Sequence, residues 1–319
     1  IQTKTDECTR DESKPVMEGP RPLLALLLLV RVLFTYVEAL YASLFPPTPK
    51  SVRGRVVLVT GAGRGIGREL AYKFAELGAR LIVWDVNKEG NEATASVIRS
   101  RGGFARAYVC DITDSEAVRQ VGEQSRQDCG DVDILVNNAG ILSCESFMNL
   151  TEQKIRKTMD VNIVSHIMTV KQFLPHMMDN NEGHIISIAS IAGVGGFPLV
   201  TDYCASKWAV VGFTEALSEE LRRFGKTGIH TTTVCPLYVN TGMLQGLGPA
   251  KKLNTGDEAM LEPYEVAEEI VKGALRNERF VFVPRKIGIM TRLSTCLPWK
   301  AQQIIRDFMK GGFFYVGKE

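Results

Sequence analysis

The chain has 319 residues, is 45% hydrophobic and 23% charged, and carries a formal charge of +2. That is enough apolar material for a large folded core and too little charge to argue for nucleic acid as a partner. Cysteines and histidines are scattered without zinc-ligand spacing, so no metal site is expected and the cysteines read as free thiols in a reducing compartment.

Taken in chain order, residues 1–22 read as a polar leader without structural signal. The first residue is Ile1, and Met17 is the expected translation start. Residues 23–45 form an apolar, leucine-rich run interrupted by Arg31 and Glu38. A bilayer span needs about 20 mostly apolar residues, so this run is expected to anchor the chain to a membrane, by spanning, as a hairpin or at the interface. Arg31 at mid-bilayer would cost about 3 kcal/mol. A secretory signal is the competing reading, with weak cleavage candidates at Ala39, Ala42 and Ser43, but the run is long for one. Residues 46–55 hold Pro46, Pro47 and Pro49, then Lys50, Arg53 and Arg55: a stiff, basic linker whose charge favours the cytoplasmic side.

From residue 56 to 284 the pattern is strand and helix in alternation. β-rich runs are expected at 56–60, 81–85, 107–110, 134–137, 184–189, 229–235 and 280–283. Helices are expected at 66–77, 88–101, 115–127, 152–178, 202–224 and 263–276. This order predicts a single α/β domain built on a doubly wound, Rossmann-type parallel sheet of about seven strands.

The first strand runs into Thr60-Gly61-Ala62-Gly63-Arg64-Gly65-Ile66-Gly67 and then a helix. Glycines allow positive φ and close approach to a pyrophosphate, and the helix N-terminus offers unpaired N–H groups to anions. Asp85 closes the second strand, where a carboxylate can accept from the adenosine ribose and repel a 2′-phosphate. Arg64 in the loop argues for NADP, but a carboxylate beside the 2′ position is the more direct obstacle, so NAD is the expected cofactor. Asp111 ends the third strand and Asn137-Asn138-Ala139-Gly140 the fourth, on the edge where ligands sit in such sheets. Tyr203 and Lys207, at i and i+4, share a helix face, and Ser190 follows the fifth strand. An ammonium near a phenol favours phenolate and brings it toward use as a base.

Thr60-Gly-x-x-x-Gly65-x-Gly67, Asn137-Asn138-Ala139-Gly140, Asn162, Ser190 and Tyr203-x-x-x-Lys207 together resemble the classical short-chain dehydrogenase/reductase family. The resemblance implies that Tyr203 is the general acid/base and that Lys207 lowers its pKa and binds the nicotinamide ribose. It also implies that Ser190 orients the substrate oxygen and that Asn162 holds a proton-passing water. Glycine-loop residues, Asp85, Asp111, Asn138, Ala139 and Gly140 would bind the cofactor, and Pro236 and Thr241 would touch the nicotinamide. Leu237 stands where the family often has glycine. The apolar start, proline break and Lys50–Gly54 stretch are similar to a membrane-associated branch that includes retinol, epidermal retinol and lipid-droplet 17-beta-hydroxysteroid dehydrogenases. That implies a lipidic substrate, all-trans-retinol or retinal first and hydroxysteroids second, on endoplasmic reticulum or lipid droplets with the domain facing the cytosol. Homo-oligomerisation through 152–178 and 202–224 is expected from the same resemblance. A non-catalytic membrane-binding protein on this fold is the alternative, but it would not need both Tyr203 and Lys207.

Residues 242–262 occupy the place of a substrate-covering loop, partly apolar through Met243, Leu244, Leu247 and Leu253. The tail, 285–319, mixes Arg285, Lys286 and Arg292 with Ile289, Leu293 and Trp299. It reads as an amphipathic interfacial stretch, or as one that packs on the domain or a partner subunit. The histidines are read as structural or surface residues.

Overall fold

The computed structural model describes residues 21–243 and 260–308. The expected leader up to residue 20, most of the expected covering loop and the end of the tail lie outside them. The chain divides into two units, Ile1–Thr48 and Pro49–Glu319.

In the first unit, α1 (Arg21–Leu44) turns the apolar run into one 24-residue helix, with Leu28, Phe34, Tyr36 and Leu40 exposed. It takes in Arg21 and Pro22, which the sequence assigned to the leader. Among the described residues no helix is long and apolar enough to cross a membrane. The spanning form of the expected anchor is therefore not seen.

In the second unit seven strands, β1 (Val56–Thr60), β2 (Arg80–Asp85), β3 (Phe104–Val109), β4 (Ile134–Asn137), β5 (Gly183–Ile188), β6 (Ile229–Pro236) and β7 (Phe280–Val283), form one sheet in the order β3-β2-β1-β4-β5-β6-β7. Every pairing is parallel. Between strands lie α2 (Gly65–Glu76), α3 (Lys88–Ser100), α4 (Ser115–Cys129), α5 (Glu152–Met159), α6 (Ser165–Asn180), α7 (Thr201–Arg223) and α8 (Pro263–Leu275). The tail continues as α9 (Arg285–Thr295) and α10 (Trp299–Phe308).

Strand alternation explains the two layers. Val57 and Val59 face a core with Leu70, Phe74 and Ile270, while Val56 and Leu58 face another with Phe173 and Met177. Both faces are buried, so these strands read as continuous apolar runs rather than alternating ones. Trp84 is fully buried, and its indole N–H donates to Ser125 Oγ at 3.2 Å, which meets the polar cost of burying it.

Two expectations are corrected. β3 begins at Phe104, because Phe104, Ala105 and Arg106 pair with β2 despite the weak pattern there. The single helix expected over 152–178 is interrupted by a π-type turn, Asp160–Val164. The extra residue in that turn buries Asn162 instead of letting it follow α5's register. The strand order reverses between β1 and β4, and in such sheets ligands bind beyond the carboxyl ends at that reversal.

Candidate active site

At that edge lies a cavity of about 790 Å³, reaching from Gly61, Arg64 and Asp85 past Asn138–Gly140 to Ser190, Tyr203 and Lys207. Its size suits a ligand of several linked groups.

The β1–α2 turn is held by contacts only glycine permits. Gly61 has φ +66°, and a Cβ there would lie 2.8 Å from Ala139 Cα. A Cβ at Gly67 would overlap the Gly61 carbonyl oxygen and Asn138 Nδ2. Asn138 Nδ2 donates to the carbonyls of Thr60 (2.9 Å) and Gly61 (3.1 Å), and Thr60 Oγ1 accepts from the N–H groups of Asn138 and Ala139. Thr60 and Asn138 thus staple the ends of β1 and β4. Gly65 and Ile66 open α2 on the cavity wall. Arg64 is exposed on the same wall and makes no ion pair among the described residues.

Asp85 accepts the Gly63 N–H at Oδ2 and the Asn87 N–H at Oδ1, each at 2.8 Å. Each oxygen keeps acceptor capacity for a further donor. Asp111 accepts from the Thr113 N–H and hydroxyl at 2.9 and 2.7 Å, which fixes it beside Ile112 on the cavity wall. Pro236 and Thr241 line the same cavity, with Leu237 between them.

Lys207 is buried, and its Nζ donates to the Ile188 carbonyl at 2.9 Å while lying 5.7 Å from the centre of the Tyr203 ring. Burial lowers its pKa to about 8. Burial pushes the Tyr203 phenol up to about 12, against a hydrogen bond with Ser190 that pulls it down. Ser190 Oγ also accepts the Ala192 N–H at 3.1 Å, which pins its rotamer.

Asn162 is buried behind the cavity wall. Its amide bonds the Ile141 backbone in both directions, at 2.8 and 2.9 Å, and donates to Ser206 Oγ at 3.0 Å. Ser206 in turn donates to the Tyr203 carbonyl at 2.7 Å. Asn162 therefore ties the end of β4 to the first turn of α7, which carries Tyr203.

The sequence reading missed three features. His166 is buried, with Nε2 3.4 Å from the Ala139 carbonyl, and burial and the charge of Lys207 lower its pKa to about 3. Leu142, Phe197 and Val200 form an apolar wall beside Tyr203. Leu199 has φ +64°. Only the wall left a sequence signal, a few apolar residues between Ser190 and Tyr203.

A family model described as short chain dehydrogenase matches residues 55–252. The chain belongs to the short-chain dehydrogenase family. Human 17-beta-hydroxysteroid dehydrogenase 13 is 41% identical over 88% of the chain and 91% of the relative. Human epidermal retinol dehydrogenase 2 is 40% identical over 87% and 89%. Among solved structures, a short-chain dehydrogenase from Burkholderia phymatum in complex with NAD aligns with a TM-score of 0.70 at 25% identity, over 77% of this chain and 94% of that one. An actinorhodin polyketide ketoreductase with NADPH gives 0.66 at 29% identity, over 72% and 95%.

As a member of that family the chain is an oxidoreductase acting on hydroxyl groups with a nicotinamide dinucleotide. The residues present fit that cofactor. The glycine turn lets main-chain N–H groups at the start of α2 face a pyrophosphate, Asp85 keeps acceptor capacity where a ribose would lie, and the cavity continues to Tyr203. When bound, the dinucleotide gives or takes a hydride. The dehydrogenase's own residues manage the proton and the geometry. The Tyr203 phenol stands on the cavity wall within hydrogen-bonding contact of Ser190. Ser190 and Lys207 line the same wall, with the Lys207 ammonium 5.7 Å from the centre of the Tyr203 ring.

Proposed function

We propose that this dehydrogenase interconverts a lipidic alcohol and its carbonyl, with all-trans-retinol and retinal as the preferred pair and NAD(H) as cofactor. The observation that carries the reading is the meeting of the Ser190, Tyr203 and Lys207 set with the apolar wall of Leu142, Phe197 and Val200 at one end of the cavity. An apolar wall beside the proton-transferring phenol suits a substrate whose body is hydrocarbon. The carboxylate of Asp85 supports NAD(H), because it stands where a 2′-phosphate would meet like charge. Exposed Arg64 is the opposing influence. A hydroxysteroid is the second reading, favoured by the relatives named as 17-beta-hydroxysteroid and estradiol 17-beta dehydrogenases.

The exposed apolar residues of α1 support attachment to endoplasmic reticulum or lipid droplets through the interface, with the catalytic domain in the cytosol. Exposed Trp208 on α7 supports self-association through that helix. The test is turnover by membranes containing the full chain, offered all-trans-retinol or a 17-beta-hydroxysteroid with NAD⁺ or NADP⁺. Retinal formed faster with NAD⁺ is expected. Oxidation of the steroid alone would overturn the retinoid reading, and a preference for NADP⁺ would transfer cofactor selection from Asp85 to Arg64.

A further inference from the structure

Between Ser190 and Tyr203 the chain makes a turn over residues 194–200 that forms one wall of the cavity's apolar end. Phe197 and Val200 face the cavity, and between them Leu199 takes a left-handed conformation, φ +64°. Glycine, asparagine and aspartate enter that region at little cost, whereas a leucine there is strained. Strain of this kind persists only where the surroundings hold it.

Here three contacts do so. The Leu199 carbonyl accepts the Glu145 N–H at 2.8 Å, which joins the turn to the wall that carries Leu142. The Phe197 carbonyl accepts from Cys204 Sγ at 4.0 Å, and the Gly195 carbonyl accepts from the Trp208 indole at 3.4 Å. The Leu199 side chain packs on the small apolar cluster of Cys144, Ala192, Val200 and Cys204, to which Leu142, Phe197 and Tyr203 also belong. A Cβ at Gly195 would lie 3.3 Å from the Phe197 ring, so that ring folds back over the turn. The side chain of Leu199 is the anchor, and the backbone between the two wall residues is what it holds out of shape.

We propose that Leu199 is a positioning residue for substrate specificity. Its strained conformation, held by apolar packing and by the bond to Glu145, fixes Phe197 and Val200 as the surface that receives the hydrocarbon body of the substrate. The inference rests on the lipid-alcohol reading above and adds the element that selects the body rather than the hydroxyl. Leu199 touches no reacting atom. Its effect falls on KM for an apolar alcohol, and kcat and the handling of a short alcohol stay as they are.

The test compares Leu199→Ala with Leu199→Gly in the full chain, using all-trans-retinol and a short primary allylic alcohol. Alanine removes the anchor and keeps the strain, so the turn relaxes. Glycine removes the anchor and the strain together, so the native φ remains accessible. The expected result is a rise in KM for retinol of roughly tenfold in the alanine variant and a smaller rise in the glycine variant. KM for the short alcohol should stay within about twofold in both, as should kcat. Packing alone would give the opposite order, because glycine leaves the larger void. Glycine no better than alanine, or an equal loss on both alcohols, would overturn the proposal and leave the lipid-alcohol reading standing. A wild-type chain that neither binds retinol, followed by its own fluorescence, nor oxidises it would overturn that reading and this proposal with it.

Discussion

β5 and β6 have a lysine at each end, Lys207 buried and Lys50 half-buried, and the two show what separates a cavity-facing group from a structural one. At the carboxyl edge, Lys207 donates to the Ile188 carbonyl and otherwise lies on a cavity wall beside Tyr203. At the amino edge, Lys50 Nζ lies 2.9 Å from His184 Nδ1, and His184 Nε2 lies 2.8 Å from Thr232 Oγ1. The Thr232 hydroxyl donates to the Glu278 carbonyl at 2.7 Å, so it must accept from the imidazole, and Nδ1 must accept from the lysine. Burial lowers both lysines to about 8. Each spends one of its three donors in these bonds, but only the first has an open volume before it. The second ends in a closed run of hydrogen bonds that seats the stretch after the prolines. A shifted pKa alone does not mark a catalytic group. A shifted pKa that also faces a cavity makes a candidate for one.

Substitutions that treat the two edges alike make the comparison breakable. The largest effect is expected at the carboxyl edge, where Lys207→Met should lower kcat roughly 10²–10⁴-fold without unfolding the chain, read by turnover and thermal melting together. Gly67→Ala comes next. Its Cβ overlaps the Gly61 carbonyl and Asn138 Nδ2, so the turn must open, and loss of dinucleotide binding by at least about tenfold is expected in a titration. Lys50→Met should do the reverse of Lys207→Met. It strips His184 Nδ1 of its donor, at about 1–3 kcal/mol for an orphaned buried acceptor, so the melting temperature should fall while kcat stays within about twofold.

The smallest effects are in pH dependence. Both lysines sit below the ordinary 10.5, so the unfolded chain binds more protons between about 8 and 10.5 and stability should rise with pH across that window. Lys50→Met should flatten part of that slope in denaturant titrations. In acid the buried imidazoles act. His166 and His184 lie below the ordinary 6.5, so the unfolded chain takes up protons first and stability should fall as pH drops from 6.5.

The carboxyl edge was far more legible in the sequence than the amino edge. Thr60, Gly61, Gly67 and Asn138 are constrained by close backbone approach, and such constraints leave a fixed local spacing. Tyr203 and Lys207 are legible because one helix carries both. The strands were legible to within a few residues because both sheet faces demand apolar side chains. Contacts between segments far apart in the chain were not legible. The Lys50–His184–Thr232 run draws on three separate segments, and its histidine looked like any core histidine. Asn162 was found, but the π-type turn that aims it was not, since one extra residue in a helical stretch leaves no periodic signal. Leu199 carried no signal, because leucine is the residue least expected to mark a left-handed turn.

The most direct test is single-turnover hydride transfer in Tyr203→Phe, with NADH formation followed after mixing the cofactor-loaded protein with the apolar alcohol. The site described here requires a loss of roughly 10²–10⁴-fold in rate with dinucleotide affinity unchanged. A Tyr203→Phe chain that transfers hydride at the wild-type rate would contradict the placement of proton transfer at this edge.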